Sequence, residues 1–278
     1  MGDSRLLGGM NAPACYVKVI LLVFRFMGKK TEADKLLHRI ERLFVKGMVT
    51  YGLLEDDDRV LVGLSGGKDS MALLELLARR SRIFHPRFSV VAAHVQMRNI
   101  GYKSDTGYLQ EFAESLGVPF ITCETSFDAS TDRRKSPCFL CSWNRRKALF
   151  TLAQEHGCNK IALGHHMDDI LETLLMNITF QGAFSSMPPK LVMRKFDMTV
   201  IRPLCLVSEA LLEELAALRG YRKQDKLCPY ETHSHRADMK GILRQLEAMN
   251  PEARYSLWGS MTNIQGELLP NPCPASEH

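Results

Sequence analysis

The six residues Ser65-Gly66-Gly67-Lys68-Asp69-Ser70 constrain this chain more than any other feature, because they follow the apolar run 59–64 and open a helical pattern at 71–77. Two glycines bring the backbone close to an anion without a Cβ in the way, and the first N–H groups of a helix point at it. Lys68 adds a mobile positive charge. The common Walker pattern requires a Gly five residues before the Gly-Lys pair, where this chain has Val62, and a Ser or Thr after the lysine, where it has Asp69. The segment is a phosphate loop of another kind.

The surrounding pattern says what carries the loop. β-branched and aromatic runs at 60–64, 88–95, 120–125 and 160–164 alternate with helix-length segments at 68–82, 105–116, 141–156 and 168–180. Such alternation predicts a parallel α/β sheet, and ligands of these sheets collect at the carboxyl ends of the strands. An amphipathic helix over 31–51 precedes the sheet. Two short alternating runs, 190–196 and 199–201, read as a hairpin, followed by a helix over 208–218 capped by Ser208 and closed by Gly220. A further helix is predicted over 237–249. Past Gln265 the tail is Pro-rich and reads as disordered.

At 278 residues with 45% hydrophobic composition, the chain can bury a sizeable core. Its net charge of +5 points only weakly to a polyanionic partner, so clustering must carry that argument. Arg79-Arg80 with Arg82, Arg133-Arg134-Lys135, Arg145-Arg146-Lys147 and Arg222-Lys223 with Lys226 are such clusters. The alternative for any one of them is a solvated helix face, and the first suits that reading equally well. The apolar run 14–27 is broken by Lys18 and Arg25 and is too short to span a bilayer, so residues 1–30 read as an extension outside the core, with no membrane partner.

Two further motifs fall at strand ends. Gly164-His165-His166-Met167-Asp168-Asp169 closes the fourth strand and enters a helix. Carboxylates beside bound phosphates repel them unless a divalent cation such as Mg²⁺ intervenes, for which Asp169 or Asp168 is the candidate. Either carboxylate would also serve simply to cap the helix. His94, at the end of the second strand, is placed to lie near a nucleotide's adenine or ribose, or to be a buried structural histidine.

The second is Cys138-Phe139-Leu140-Cys141, entering a helix. Two thiols at this spacing reach one metal atom or cluster, and alone they suit half a zinc site or a redox pair equally. The irregular spacing of the eight cysteines argues against a disulfide framework. Cys228 is the best third ligand. Three cysteines without a fourth suit a 4Fe-4S cluster with one open iron, whereas structural zinc demands closure.

The loop resembles the PP-loop of the ATP pyrophosphatases, which cleave ATP between its α and β phosphates. With the C-x-x-C, the Gly-His-His-x-Asp-Asp turn and the late third cysteine in this order, residues 31–264 resemble the tRNA 2-thiocytidine synthetases. Met187-Pro188-Pro189-Lys190-Leu191 and Ile201-Arg202-Pro203-Leu204 also match that family.

The resemblance implies a five-stranded parallel Rossmann-like sheet flanked by helices, with a small helical extension. Its expected parts are an N-terminal extension (1–30), an ATP-binding α/β domain with its N-terminal helix (31–207), a helical region carrying the third cysteine (208–264) and a tail (265–278). Its expected activity is thiolation of C2 of cytidine 32 in the tRNA anticodon loop, with ATP, Mg²⁺ and a 4Fe-4S cluster on Cys138, Cys141 and Cys228. A cysteine desulfurase would donate sulfur, the compartment would be cytoplasmic, and a homodimer is compatible with the pattern.

By the same resemblance, Ser65, Gly66, Gly67, Lys68, Asp69, Ser70, His94 and Gly164 would bind the nucleotide, and Lys68, Asp168 and Asp169 would join the cysteines in catalysis. Arg133, Arg134, Lys135, Arg145 and Arg146 would hold tRNA. Some members carry a further C-x-x-C at the third-ligand position, but Glu231 stands at its second place here. Related uridine thiolases carry flanking zinc-finger pairs and a lysine four residues after the second cysteine. This chain has Arg145 there and no such pairs, which favours cytidine. A PP-loop amine ligase of the lysidine type would not need the cysteines, and a nonenzymatic ATP- or iron-sulfur-binding regulator would not release pyrophosphate.

Overall fold

The computed structural model describes residues 31–99, 104–128, 130, 137–194, 196–222, 224 and 235–270. The expectations placed on the extension 1–30, on Arg133, Arg134, Lys135 and on Cys228 fall outside those residues.

Helix α1 (Glu32–Thr50) opens with a capping box between Thr31 and Asp34 and buries Leu36, Leu37, Ile40, Phe44 and Met48. Strand β1 (Asp58–Gly63) leads through the phosphate loop into α2 (Lys68–Arg80). Then come β2 (Phe88–Met97), α3 (Thr106–Ser115), β3 (Phe120–Thr125), α4 (Pro137–Glu155), β4 (Lys160–Ala162) and α5 (Met167–Gln181). The hairpin β5 (Lys190–Met193) and β6 (Met198–Ile201) turns through Asp197, whose φ is 46°. Helices α6 (Glu209–Arg219), α7 (His235–Met249) and α8 (Ala253–Ser260) follow.

The sheet order is β3-β2-β1-β4-β6-β5, with every pairing parallel except β5 with β6. The five expected parallel strands are therefore present, and the hairpin adds a sixth, antiparallel strand at the edge. Helix α4 begins at Pro137 rather than at 141, so both cysteines of the C-x-x-C lie within the helix, Cys138 in its first turn and Cys141 at the start of the second. Proline suits that position because its missing N–H would have no helical partner there. Gly266–Leu268 forms a turn of 3-10 helix at the start of the expected tail.

Side chains alternate between two apolar layers, as the period of a strand requires. Val60, Val62, Val90 and Ala92 face the core under α1, α2, α3 and α6, whereas Leu61, Val91, Ala93 and Ile161 face Phe150, Leu152 and Ala153 of α4. A sheet covered on both faces has near-continuous apolar strands, which is the pattern at 60–64.

The chain runs outward from β1 to β2 and β3, then returns across β1 to β4. This reversal opens a crevice beyond the carboxyl ends of β1 and β4, where adjacent connections diverge to opposite faces. The phosphate loop leaves β1 there, and the Gly-His-His turn leaves β4.

Candidate functional site

The loop holds its shape with its own hydroxyls. Ser70 Oγ donates to the Gly67 carbonyl at 2.9 Å and accepts from the Ser65 amide at 3.2 Å, while the Gly67 amide donates to Ser65 Oγ at 3.3 Å. Gly66 has φ +79°, and a Cβ there would lie 2.5 Å from Cγ of buried Gln224, so both backbone and space require glycine. No side chain caps the start of α2 at Gly67. Its uncapped end faces the crevice, the arrangement that receives an anion.

The turn after β4 packs directly on this loop. A Cβ on Gly164 would lie 3.1 Å from both the Asp69 carbonyl carbon and the Ser70 amide nitrogen. The two motifs are thus joined backbone to backbone. His166 is the N-cap of α5, with its amide donating to Asp169 Oδ2 at 3.1 Å and its Nδ1 accepting from the Asp169 amide at 3.4 Å.

These elements and α4 enclose a cavity of about 530 Å³, lined by Ser65, Gly67, Asp69, Ser70, His94, Gly164, His165 and Asp169 together with Cys138, Cys141 and Arg145. The cysteines and arginine are one helical face, at spacings of three and four residues. Among the described cysteines only these two line the cavity: Cys158 and Cys205 are buried elsewhere, and burial pushes the Cys205 thiol up to about 12. Two thiols one turn apart, open to a shared cavity, fit one side of a cluster; the third candidate lies outside the described residues.

Electrostatics distinguish residues that the motifs alone could not. Buried His94 places Nδ1 2.7 Å from the Leu64 carbonyl oxygen. A carbonyl only accepts, so Nδ1 carries the proton, and the unpartnered Nε2 is left as an acceptor at the cavity. Burial lowers its pKa against the opposing Leu64 bond, and Arg145 lowers it further. His165 is likewise pushed down to about 4 by burial and then by Arg202. Arg145 Nε is buried without a hydrogen-bond partner, a donor suited to an anion.

Lys68 lies outside the cavity lining, paired with Asp69 at 3.3 Å and Glu209 at 3.4 Å. Burial opposes its charge, but these two carboxylates more than compensate and raise its pKa.

The two aspartates have different surroundings. Asp168 turns away from the cavity, accepts the Glu209 amide at 2.8 Å at the start of α6, and pairs with Arg254 of α8. Asp169 lines the cavity and pairs with Arg236 of α7 at 3.2 Å. Glu172, one turn on, is raised to about 7, mainly by burial and next by Asp169. Of the two, Asp169 is the carboxylate within reach of a cavity-bound cation. No group of three His, Cys, Asp or Glu able to hold a metal ion occurs among the described residues.

Arg236, Lys240 and Arg254 were not foreseen from sequence, although Lys240 reaches Glu209 at 2.5 Å and all three arise from the two C-terminal helices. Isolated basic residues on helices give no local signal of such pairing. The adjacent arginines of α4 also separate: Arg145 lines the cavity and Arg146 faces outward.

A phosphate loop at the switch point of a parallel sheet defines the class, and the PP-loop domain family matches residues 33–226. A tRNA-cytidine(32) 2-sulfurtransferase of Alkalilimnicola ehrlichii is 37% identical over 97% of this chain and 84% of its own length. One from Syntrophotalea carbinolica is 36% identical over 85% and 93%. A U34-tRNA thiolase from Methanococcus maripaludis, solved with its 4Fe-4S cluster, superposes with a TM-score of 0.68 at 25% identity, covering 87% of this chain and 82% of that one. The chain belongs to the tRNA-cytidine(32) 2-sulfurtransferase family, within the PP-loop proteins. No helix among the described residues is long and apolar enough to cross a membrane.

Proposed function

We propose that the protein uses ATP to convert cytidine 32 of tRNA to 2-thiocytidine, with activation and sulfur delivery in the one cavity. The observation that carries this reading is that the phosphate loop and the Cys138/Cys141 pair line the same space. The names of its relatives support tRNA and the cytidine.

The C2 oxygen of the base is a poor leaving group. In the proposed first step it attacks the α-phosphate of ATP, pyrophosphate departs, and the oxygen becomes part of a good leaving group, AMP. Loop amides at Gly67 and the start of α2 receive the phosphates, and Lys68, released from Asp69 and Glu209, offsets the charge that grows on them. Arg145 is available to the activated intermediate. A Mg²⁺ ion would be held by Asp169 and would neutralise the phosphates. An iron-sulfur cluster on Cys138, Cys141 and Cys228 would supply sulfur as the nucleophile that replaces AMP. Cysteine desulfurase is the proposed source of that sulfur, which leaves it as a persulfide and reaches the sulfide level when a second thiol reduces it and is left as a disulfide, and Arg133, Arg134, Lys135 and Arg146 are proposed contacts to tRNA phosphates.

Nucleoside analysis of tRNA from a deletion strain carrying this gene tests the reading. The account expects 2-thiocytidine to reappear with the native chain and to be absent with Cys138→Ser. Its absence with both, while the native protein accumulates normally, would overturn the substrate assignment.

A further inference from the structure

The two C-terminal helices bring cations to the phosphate loop in two different ways. Arg254 of α8 lies largely out of water against the buried Asp168 carboxylate, a contact within the packing. The side chains of Arg236 and Lys240 of α7 are 45% and 37% exposed. They stand one turn apart on one face, beside Met239 and Leu243, which are buried and fix α7.

Both reach groups of the nucleotide site. Lys240 Nζ lies 2.5 Å from Glu209 Oε2, and Lys68 of the loop lies 3.4 Å from Oε1 of the same carboxylate. One carboxylate thus holds the loop's lysine and that of α7 side by side. Its residue is fixed in turn, because the Glu209 amide donates to Asp168 Oδ2 at 2.8 Å. Arg236 Nη1 lies 3.2 Å from Asp169 Oδ1, with Nε 3.8 Å from Glu172 Oε2. Ion pairs this open to water contribute little to stability, so breaking them costs little. A multiply charged phosphate group competes well for the same donors.

We propose that Lys240 and Arg236 bind the diphosphate end of ATP and hold it as pyrophosphate once it leaves. This rests on the ATP reading above and names the residues that receive the leaving group. The thiols and Gly67 of the loop line one cavity, so the α-phosphate and the base that attacks it belong there. In-line displacement sends the leaving oxygen away from the attacking one. The diphosphate therefore leaves over the start of α2, where Lys68 stands outside the cavity lining with Lys240 next to it. Lys68 and Lys240 exchange Glu209 for phosphate oxygens. Arg236, in turning to the phosphates, leaves the Asp169 carboxylate to the cation proposed there.

Calorimetric titration at fixed salt and excess Mg²⁺ tests this with α,β-methylene ATP, AMP and inorganic pyrophosphate on the native protein, Lys240→Ala, Lys240→Arg and Arg236→Ala. Lys240→Ala should bind the ATP analogue and pyrophosphate about 10- to 100-fold more weakly, the loss of one charge-assisted contact, with AMP binding unchanged. Lys240→Arg should recover most of that loss. Arg236→Ala should weaken the same two ligands and spare AMP. Melting of the Lys240 variants near the native temperature separates a lost contact from a lost fold.

Native affinity of both alanine variants for the ATP analogue would overturn the proposal and leave the ATP reading standing. A loss shared equally by AMP would overturn it in favour of a packing role for α7. Weaker tRNA binding with native affinity for all three small ligands would assign these cations to RNA phosphates and overturn it too. If the native protein binds none of the three, the ATP reading and the proposal fall together.

Discussion

Replacing Gly164 by alanine tests whether the two nucleotide motifs act as one packed unit. Gly164 does not occupy the left-handed region, so alanine adds a steric effect alone. Its Cβ would lie 3.1 Å from the Asp69 carbonyl carbon, 3.1 Å from the Ser70 amide nitrogen and 3.2 Å from the Asp69 oxygen. Comfortable contact for carbon is about 3.5–4.0 Å. All three neighbours are backbone, which has no alternative rotamer to adopt, so the turn and the start of α2 must separate by a few tenths of an ångström. Overpacking of this kind costs about 1–3 kcal/mol, corresponding to roughly 2–10 °C in Tm for a chain of this size. The displaced atoms include the amides proposed to receive phosphate, so affinity for a nonhydrolysable ATP analogue should fall as well. Calorimetric melting and titration of the variant measure both. Native Tm together with native affinity would refute the claim that this contact sets the loop.

Three other substitutions separate packing from chemistry. Arg254→Ala leaves the buried Asp168 carboxylate without its cation and should cost about 3 kcal/mol in urea unfolding, with Asp168→Asn in the same background restoring part of the loss. An unchanged unfolding midpoint would show that the pair is not structural. Lys68→Ala should cut tRNA-dependent pyrophosphate release by about 100-fold or more while melting near the native temperature, and a rate within a few-fold of native would remove Lys68 from the reaction. His165 has a folded pKa pushed down to about 4, so its neutral ring favours the fold above pH 6.5, and that contribution is lost as pH falls from 6.5 towards 4. His165→Asn should therefore lose less stability than the native chain across that window, and parallel stability profiles would contradict the assignment.

The loop, the strands and the C-x-x-C were legible because each has a local signature: glycines where a Cβ has no room, β-branched runs, and thiols at one-turn spacing. The sixth strand was visible as one arm of a hairpin, but the hairpin's place at the sheet edge depends on β6 pairing parallel to β4, which no local pattern states. The difference between Asp168 and Asp169 was not readable either. It depends on the Glu209 amide and Arg254, 41 and 86 residues away from Asp168. Helix α8 was missed because its eight residues include Gly259 and two serines, a composition with little helical preference. It is held by Trp258 and Leu257 packing near Leu171 and Leu243. Ser208 stands at the expected N-cap of α6, yet its side chain makes no cap bond; Asp168 accepts from that helix's first amide instead.

Counting pyrophosphate and 2-thiocytidine in one reaction tests most directly that activation and sulfur delivery are successive tasks in a single cavity. With tRNA, ATP and a sulfur donor, the native protein should release one pyrophosphate and one AMP for each 2-thiocytidine formed. Cys141→Ser should still release pyrophosphate in a tRNA-dependent way and form no thiolated base. Production of ADP and orthophosphate by the native protein, or 2-thiocytidine from Cys141→Ser, would contradict the account.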